Sequence, residues 1–145
     1  MIVLLQRVSR ASVSTGGREL GRVGRGFLAL VCAERGDAAD APVRLAQKTA
    51  RLRVFEDDAG KMNRSVTDIG GDVLCVSQFT LAADTRSGNR PGFDRAAPPD
   101  EGRKAFEAYI AELRRLGFAA PCGEFGAHME VSLLNDGPAT FWLKL

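Results

Sequence analysis

Apolar and polar positions along this chain change period several times, and each change predicts an element. Ile2 to Ser14 is rich in β-branched and apolar residues, with Val3, Leu5, Val8 and Val13; it predicts a strand that begins where the sequence begins. Gly16-Gly17 is a turn signal, and Glu19 to Val23 predicts the returning partner of a hairpin. Phe27 to Ala33 is continuously apolar, as in a strand buried on both faces. Asp37 to Leu52 has helical spacing, with Leu45, Thr49 and Leu52 on one face, Asp37 or Asp40 as the cap and Pro42 in the first turn. Arg53-Val54-Phe55 predicts a short strand, Asp57 to Gly60 a turn, and Asp72 to Gln78 a second buried strand after Gly70-Gly71.

Ala82 to Asp100 is a long polar loop with three prolines and the cations Arg86, Arg90 and Arg95; loops of this length in a small domain commonly carry function. Asp100 is the expected cap of a second helix, with Phe106, Tyr109, Ile110, Leu113 and Leu116 at helical spacing and Gly117 at its stop. Two β-like runs close the chain, Met129 to Leu134 and Phe141 to Leu145, separated by Asn135-Asp136-Gly137-Pro138-Ala139-Thr140. The order, roughly β-β-β-α-β-β-α-β-β, predicts one α/β domain over residues 1–145, with a mixed sheet and its helices on one side. Proline gives no N–H to a ladder and fixes its own φ, so Gly137-Pro138 reads as a turn. Its bland reading is a hairpin connection, and its functional reading is a rigid backbone edge presented to a ligand.

Composition narrows the classes. The chain has 145 residues, 45% apolar and 26% charged, with a net charge of +2. That suits a globular domain and does not announce a nucleic-acid partner by itself. No apolar run reaches the roughly 20 residues of a membrane span, and the first residues lack the pattern of a secretory signal. Cys32, Cys75 and Cys122 are odd in number and lack paired spacing; a reduced, cytoplasmic setting is expected. One histidine and three scattered cysteines provide no local ligand pair for zinc, and Asp57-Asp58 does not match a calcium loop. No metal and no cofactor is expected.

Ser77, Thr80, Ser87 and Thr140 are candidate nucleophiles, but each needs an adjacent base. The single histidine, His128, falls on the strand face opposite Met129 and reads as a surface residue. Phosphate-binding and dinucleotide-binding glycine motifs are absent, as is a nucleophile elbow. A chain without an obvious base would have to catalyse by positioning, backbone dipoles or the substrate's own groups.

Two stretches are more specific. Ser77-Gln78-Phe79-Thr80-Leu81-Ala82-Ala83-Asp84-Thr85 and Asn135-Asp136-Gly137-Pro138-Ala139-Thr140 resemble the paired signature motifs of D-aminoacyl-tRNA deacylases. The resemblance extends to Gln6-Arg7-Val8, Gly60 to Asn63, Arg90-Pro91 and Phe125-Gly126-Ala127 with Met129. It implies a three-layer β-β-α sandwich working as a homodimer, with sites at the subunit interface. It implies hydrolysis of the ester joining a D-amino acid, or glycine on the wrong tRNA, to the 3′-terminal adenosine. It implies a cis Gly137–Pro138 step projecting into the partner's pocket, held by Arg7, with Ala139 and Thr140 completing the segment. Ser77, Gln78, Phe79 and Thr80 are then the pocket floor, and Phe125, Met129 and Gln6 the adenosine side. Ala139 stands where the family pattern usually has valine, which shortens a side chain and leaves the Gly-Pro backbone alone. Thr80 as a nucleophile lacks a base; in the alternative, Thr80, Gln78 and backbone N–H groups near Phe79 orient the ester while the ribose 2′-hydroxyl helps activate water.

Two other classes remain at this point. Arg7, Arg10, Arg18, Arg22 and Arg25 bias the first hairpin toward positive charge, as in a non-enzymatic RNA-binding module. A dimerisation protein with a Gly-Pro turn is the other.

Overall fold

β1 (Ile2–Thr15) pairs with three other strands, and the main sheet is built around it. The computed structural model describes all residues, Met1–Leu145. Along one edge, β1 pairs antiparallel first with β3 (Gly26–Cys32), from Ile2↔Cys32 to Val8↔Gly26, and then with β2 (Arg18–Val23), from Ala11↔Val23 to Thr15↔Arg18. Beyond β3 lies β6 (Asp72–Ser77), parallel to it from Gly26↔Asp72 to Val31↔Ser77. The other edge of β1 is taken by β7 (Glu130–Lys144). The sheet is therefore mixed, as expected, with one parallel pair. A Cβ at Gly26 would lie 2.0 Å from the Asp72 carbonyl oxygen, so that close pairing demands glycine.

Alternation in β3 and β6 sends side chains to two cores. Phe27, Ala29, Val31, Val73 and Cys75 meet α1 (Ala41–Arg51) and α2 (Pro99–Arg115), whose Leu45, Ala46, Ala50, Phe106, Tyr109, Ile110 and Leu113 are buried there. Leu28, Leu74 and Val76 face the other way and meet Val8, Ala11, Val13 and Val23, because the far half of β1 with β2 curls back over the sheet. Helices, flat sheet and curled sheet make the three layers. Inside the helix layer Thr49 and Tyr109 share a buried hydrogen bond of 2.8 Å. No helix is long and apolar enough to cross a membrane.

Several expectations are corrected. The short strand is β4 (Phe55–Glu56), and it pairs with a segment not foreseen, β5 (Met62–Arg64). α1 starts at Ala41 with Asp40 before it; Asp37 instead accepts from the Glu34 N–H at 2.7 Å and from the Met1 amine. α2 starts at Pro99 with Pro98 as the flanking residue, so Asp100 lies inside the first turn, where its charge suits the helix dipole. The two closing strands are a single strand, β7, and Gly137-Pro138 is an interruption within it, not a hairpin turn. The N-terminal arginines do not form one basic face: Arg7 is 6% exposed, Arg22 pairs with Glu19, Arg18 lies 3.8 Å from Glu124, and Arg25 lies over the Phe55 ring.

Candidate active site

At Ser77 the parallel pair ends and the chain turns off the sheet. The Gln78 N–H still donates to the Val31 carbonyl at 2.8 Å, and residues Phe79–Ala82 then form one 3-10 turn. Phe79 and Thr80 open that turn, so their N–H groups have no acceptor within it. The Gln78 side-chain amide donates to the Thr80 hydroxyl oxygen. With that lone pair engaged, the Thr80 hydroxyl hydrogen is free to donate outward. Phe79 is 58% exposed, and its ring meets Phe93 edge to face at 5.0 Å between centroids.

Beside this turn lies a cavity of about 420 Å³. Its floor is the strand ends Val31–Ala33 and Ser77–Phe79, and its walls are Phe93 and Ala96–Pro99 of the loop, Gly102 and Phe106 of α2, and Phe125-Gly126. The loop wall is pinned to the sheet by Arg35 N–H to Arg95 O at 2.9 Å and Ala97 N–H to Ala33 O at 3.0 Å. Further out, Asp84 and Gly92 exchange two backbone bonds, and the Arg86 guanidinium holds the Asp84 carboxyl well below the carboxylate range. The Arg103 guanidinium sits 4.7 Å over the Phe125 ring and fixes that wall from outside.

The lining contains no carboxylate and no imidazole; its ionisable groups are Arg35 and Cys32. Burial pushes the Cys32 thiol up to about 11, so it is neutral near pH 7. His128 is exposed and its carbonyl accepts from Thr15, away from the cavity. Cys75 is fully buried and Cys122 lies beside it, so Cys122 and His128 do not form a dyad in the cavity.

The second motif is built on β7. Gln6 pairs with Thr140 and Val8 with Asn135, so β1 advances two residues while β7 advances five. The surplus is looped out as a bulge, with Gly137 and Pro138 exposed at its crest and their peptide bond cis. A Cβ on Gly137 would lie 2.2 Å from the Ala139 nitrogen, so the bulge also demands glycine. Arg7 braces it from below: Nε donates to the Asp136 carbonyl at 2.8 Å and Nη1 to the Val54 carbonyl at 2.5 Å. Asn135 Nδ2 donates to the carbonyls of Arg7 at 2.9 Å and Ala139 at 3.2 Å.

Of the residues singled out in the sequence, Ser77, Gln78, Phe79 and Phe125 line the cavity, while Thr80, expected in its floor, follows Phe79 on the 3-10 turn and is not part of the lining. Gln6 is on β1 opposite Thr140, and Met129 packs over Gly123 and the second core, outside the cavity lining. Gly137, Pro138, Ala139, Thr140 and Arg7 form their own group three strand positions from β6, roughly 14 Å away at the usual strand spacing. The two motifs do not meet within one chain. Cys32, Arg35, Phe93, Phe106 and the Ala96–Pro99 run were not anticipated as lining; only the aromatic in the long loop gave any local signal.

Residues 4–144 match a family model described as D-Tyr-tRNA(Tyr) deacylase. The D-aminoacyl-tRNA deacylase of Ruegeria pomeroyi is 58% identical over 145 residues, covering 100% of both chains. The same enzyme of Burkholderia cenocepacia is 55% identical over 150 residues, covering 100% of this chain and 99% of its own. A solved structure titled c-Myc DNA unwinding element binding protein superposes with a TM-score of 0.93 at 37% identity, covering 100% and 99% of the two chains. A probable eukaryotic D-amino acid tRNA deacylase shares the fold, with a TM-score of 0.82 at 16% identity over 98% and 97% of the chains. With both motifs placed and relatives matched from end to end, the chain belongs to the D-aminoacyl-tRNA deacylase family.

Proposed function

We propose that this protein is a cytoplasmic proofreading hydrolase that cleaves the ester between a D-amino acid, or glycine on a non-cognate tRNA, and the 3′-terminal adenosine. The observation that carries the reading is the composition of the cavity. It is a largely apolar slot whose polar edge is Ser77, Gln78, the adjoining turn and Arg35, and it contains no group able to act as a general base at neutral pH. Adenine stacks in such a slot against Phe93 and Phe125. The ester then meets the Thr80 hydroxyl and the free N–H groups of the turn, which stabilise the developing oxyanion. The ribose 2′-hydroxyl, next to the scissile carbonyl, helps to activate the attacking water. Thr80 positions the ester and does not form an acyl-enzyme.

The chiral filter is the Gly137–Pro138 bulge of a second subunit. The unpaired outer edge of β7 around its exposed Leu133 and Leu134 supports a symmetric dimer, because such an edge is usually covered. An isologous interface brings the bulge of each chain to the cavity of the other. A backbone wall near the substrate Cα rejects an L side chain by clash and reads nothing of a D side chain. Glycine passes for the same reason. The test is single-turnover hydrolysis of D-tyrosyl-tRNA with and without hydroxylamine. Turnover without a trapped acyl-enzyme is expected; a Thr80 acyl adduct would overturn the positioning role.

A further inference from the structure

Arg44, Lys48 and Arg51 stand at i, i+4 and i+7 of α1 and are exposed, which places three cations along about 10 Å of one helix face. Facing them is the end of β7, and the groove between, about 650 Å³, is walled by Trp142 and Lys144. Lys144 also lines the next groove, together with Arg35 and Arg95. Arg35 in turn lines the cavity described above. The three depressions adjoin through the shared cations Arg35 and Lys144, so a track leads from the cavity to α1, cationic along α1 and mixed in its middle, where Glu34, Asp37 and Asp94 also line it.

Of the carboxylates lining the middle groove, Glu34 and Asp37 are already engaged, and Asp94 has no cation within 4.0 Å of its carboxylate. Glu34 is buried and meets Lys144 at 2.8 Å, Arg95 at 3.4 Å and the Met1 amine at 3.4 Å, and Asp37 also holds that amine. Burial alone would raise the Glu34 carboxyl, but Lys144 and the amine hold it below its ordinary value. Asp40 reaches Arg44 only at 3.9 Å. Arg51 is bonded to Gln47, Arg35 to the Asp94 carbonyl, and Lys48 has no acidic partner within 4.0 Å. Arg35, Lys48 and Arg51 have no carboxylate within 4.0 Å, and such unpaired cations spread along a groove match a polyanionic backbone.

We propose that this track, from Arg35 through Lys144 to Arg44, Lys48 and Arg51, seats the phosphate backbone of the tRNA acceptor stem whose 3′ end occupies the cavity. The inference rests on the function proposed above. It assigns affinity for the tRNA body to α1 and the end of β7 in preference to the first hairpin, where Arg7 is buried, Arg18 and Arg22 lie beside carboxylates, and only Arg10 and Arg25 are exposed without a carboxylate within 4.0 Å.

The test compares the native protein with the variant Arg44→Gln/Lys48→Gln/Arg51→Gln on two substrates, D-tyrosyl-tRNA and D-tyrosyl-adenosine, which lacks a stem. Loss of three phosphate contacts should raise KM for the tRNA substrate by about tenfold or more and make its log–log salt slope shallower by about 2. Hydrolysis of the small ester should be unchanged, and fluorescence anisotropy of uncharged tRNA should show the same loss. Arg44→Lys/Arg51→Lys should keep both substrates near native values. Unchanged tRNA KM and salt slope, or equal losses on both substrates, would overturn the track. So would an Arg10→Gln/Arg22→Gln variant that lost tRNA affinity in its place. A native protein inactive on both substrates would remove the proposed function itself, and the track with it.

Discussion

At Thr80 the assignment comes down to one hydrogen bond. Gln78 donates to the hydroxyl oxygen, and nothing within the cavity can take the hydroxyl proton. Thr80→Val should therefore lower kcat by about 10²-fold, the usual effect of losing one oxyanion donor, while leaving KM nearly unchanged. Steady-state kinetics on D-tyrosyl-tRNA would check it, and a native rate would remove Thr80 from the mechanism. Cys32 is the opposite case. Its thiol at about 11 is neutral and only bonds the carbonyls of Ala33 and Phe79, so Cys32→Ser should retain turnover within a few-fold. Gln78, Thr80 and Gly137 were named because each lies in a contiguous stretch that resembles a family motif. Cys32, Phe93 and Phe106 were not, because what makes them lining is the convergence of a strand end, a loop and a helix that no single stretch encodes.

Among the elements, β7 departs furthest from its sequence pattern. Proline inside a run argues against a strand, and that rule correctly detects the interruption. It does not reveal that β1 is long enough to pair on both sides of it, and so a hairpin was expected where a bulge stands. Arg7 was named for this segment, but the burial of its guanidinium and its second partner, the Val54 carbonyl, follow only from the fold. Arg7→Ala leaves two carbonyls without that donor and should cost about 1–3 kcal/mol, or roughly 3–10 °C in Tm for a chain of this size. Arg7→Lys should not restore it, since a single ammonium cannot serve both acceptors. Calorimetry on the two variants would check both statements.

Between the helices, the Arg115 guanidinium first and the Gln47 amide second hold the Glu112 carboxyl at about 2, below its ordinary 4.5. A carboxyl depressed by folding stabilises fully above its unfolded value, and that contribution disappears as pH falls from there toward 2. Glu112→Gln should therefore be less stable than the native protein at pH 6, and the two should converge near pH 2. A constant difference across this range in denaturant titrations would contradict the assignment.

For the whole molecule, the mixed sheet and its helix layer were readable in the chain, whereas the strand order, the curl and the separation of the two motifs were not. In one subunit they face different regions, with the Gly137–Pro138 crest exposed on β7 and the cavity beyond β6. The site proposed above would therefore be completed by a second copy. Sedimentation should find a dimer at assay concentrations, and activity should fall on dilution in proportion to the monomer formed. The central claim is that a backbone crest filters substrates by excluding one side-chain direction. It is tested most directly by measuring kcat/KM for D-tyrosyl-tRNA, L-tyrosyl-tRNA and a glycyl-tRNA under identical conditions. The D ester and the glycyl ester should both be hydrolysed, with the L ester slower by at least about 10³-fold, some 4 kcal/mol of discrimination. Comparable rates for the D and L esters, or hydrolysis of the D ester with none of the glycyl ester, would contradict it.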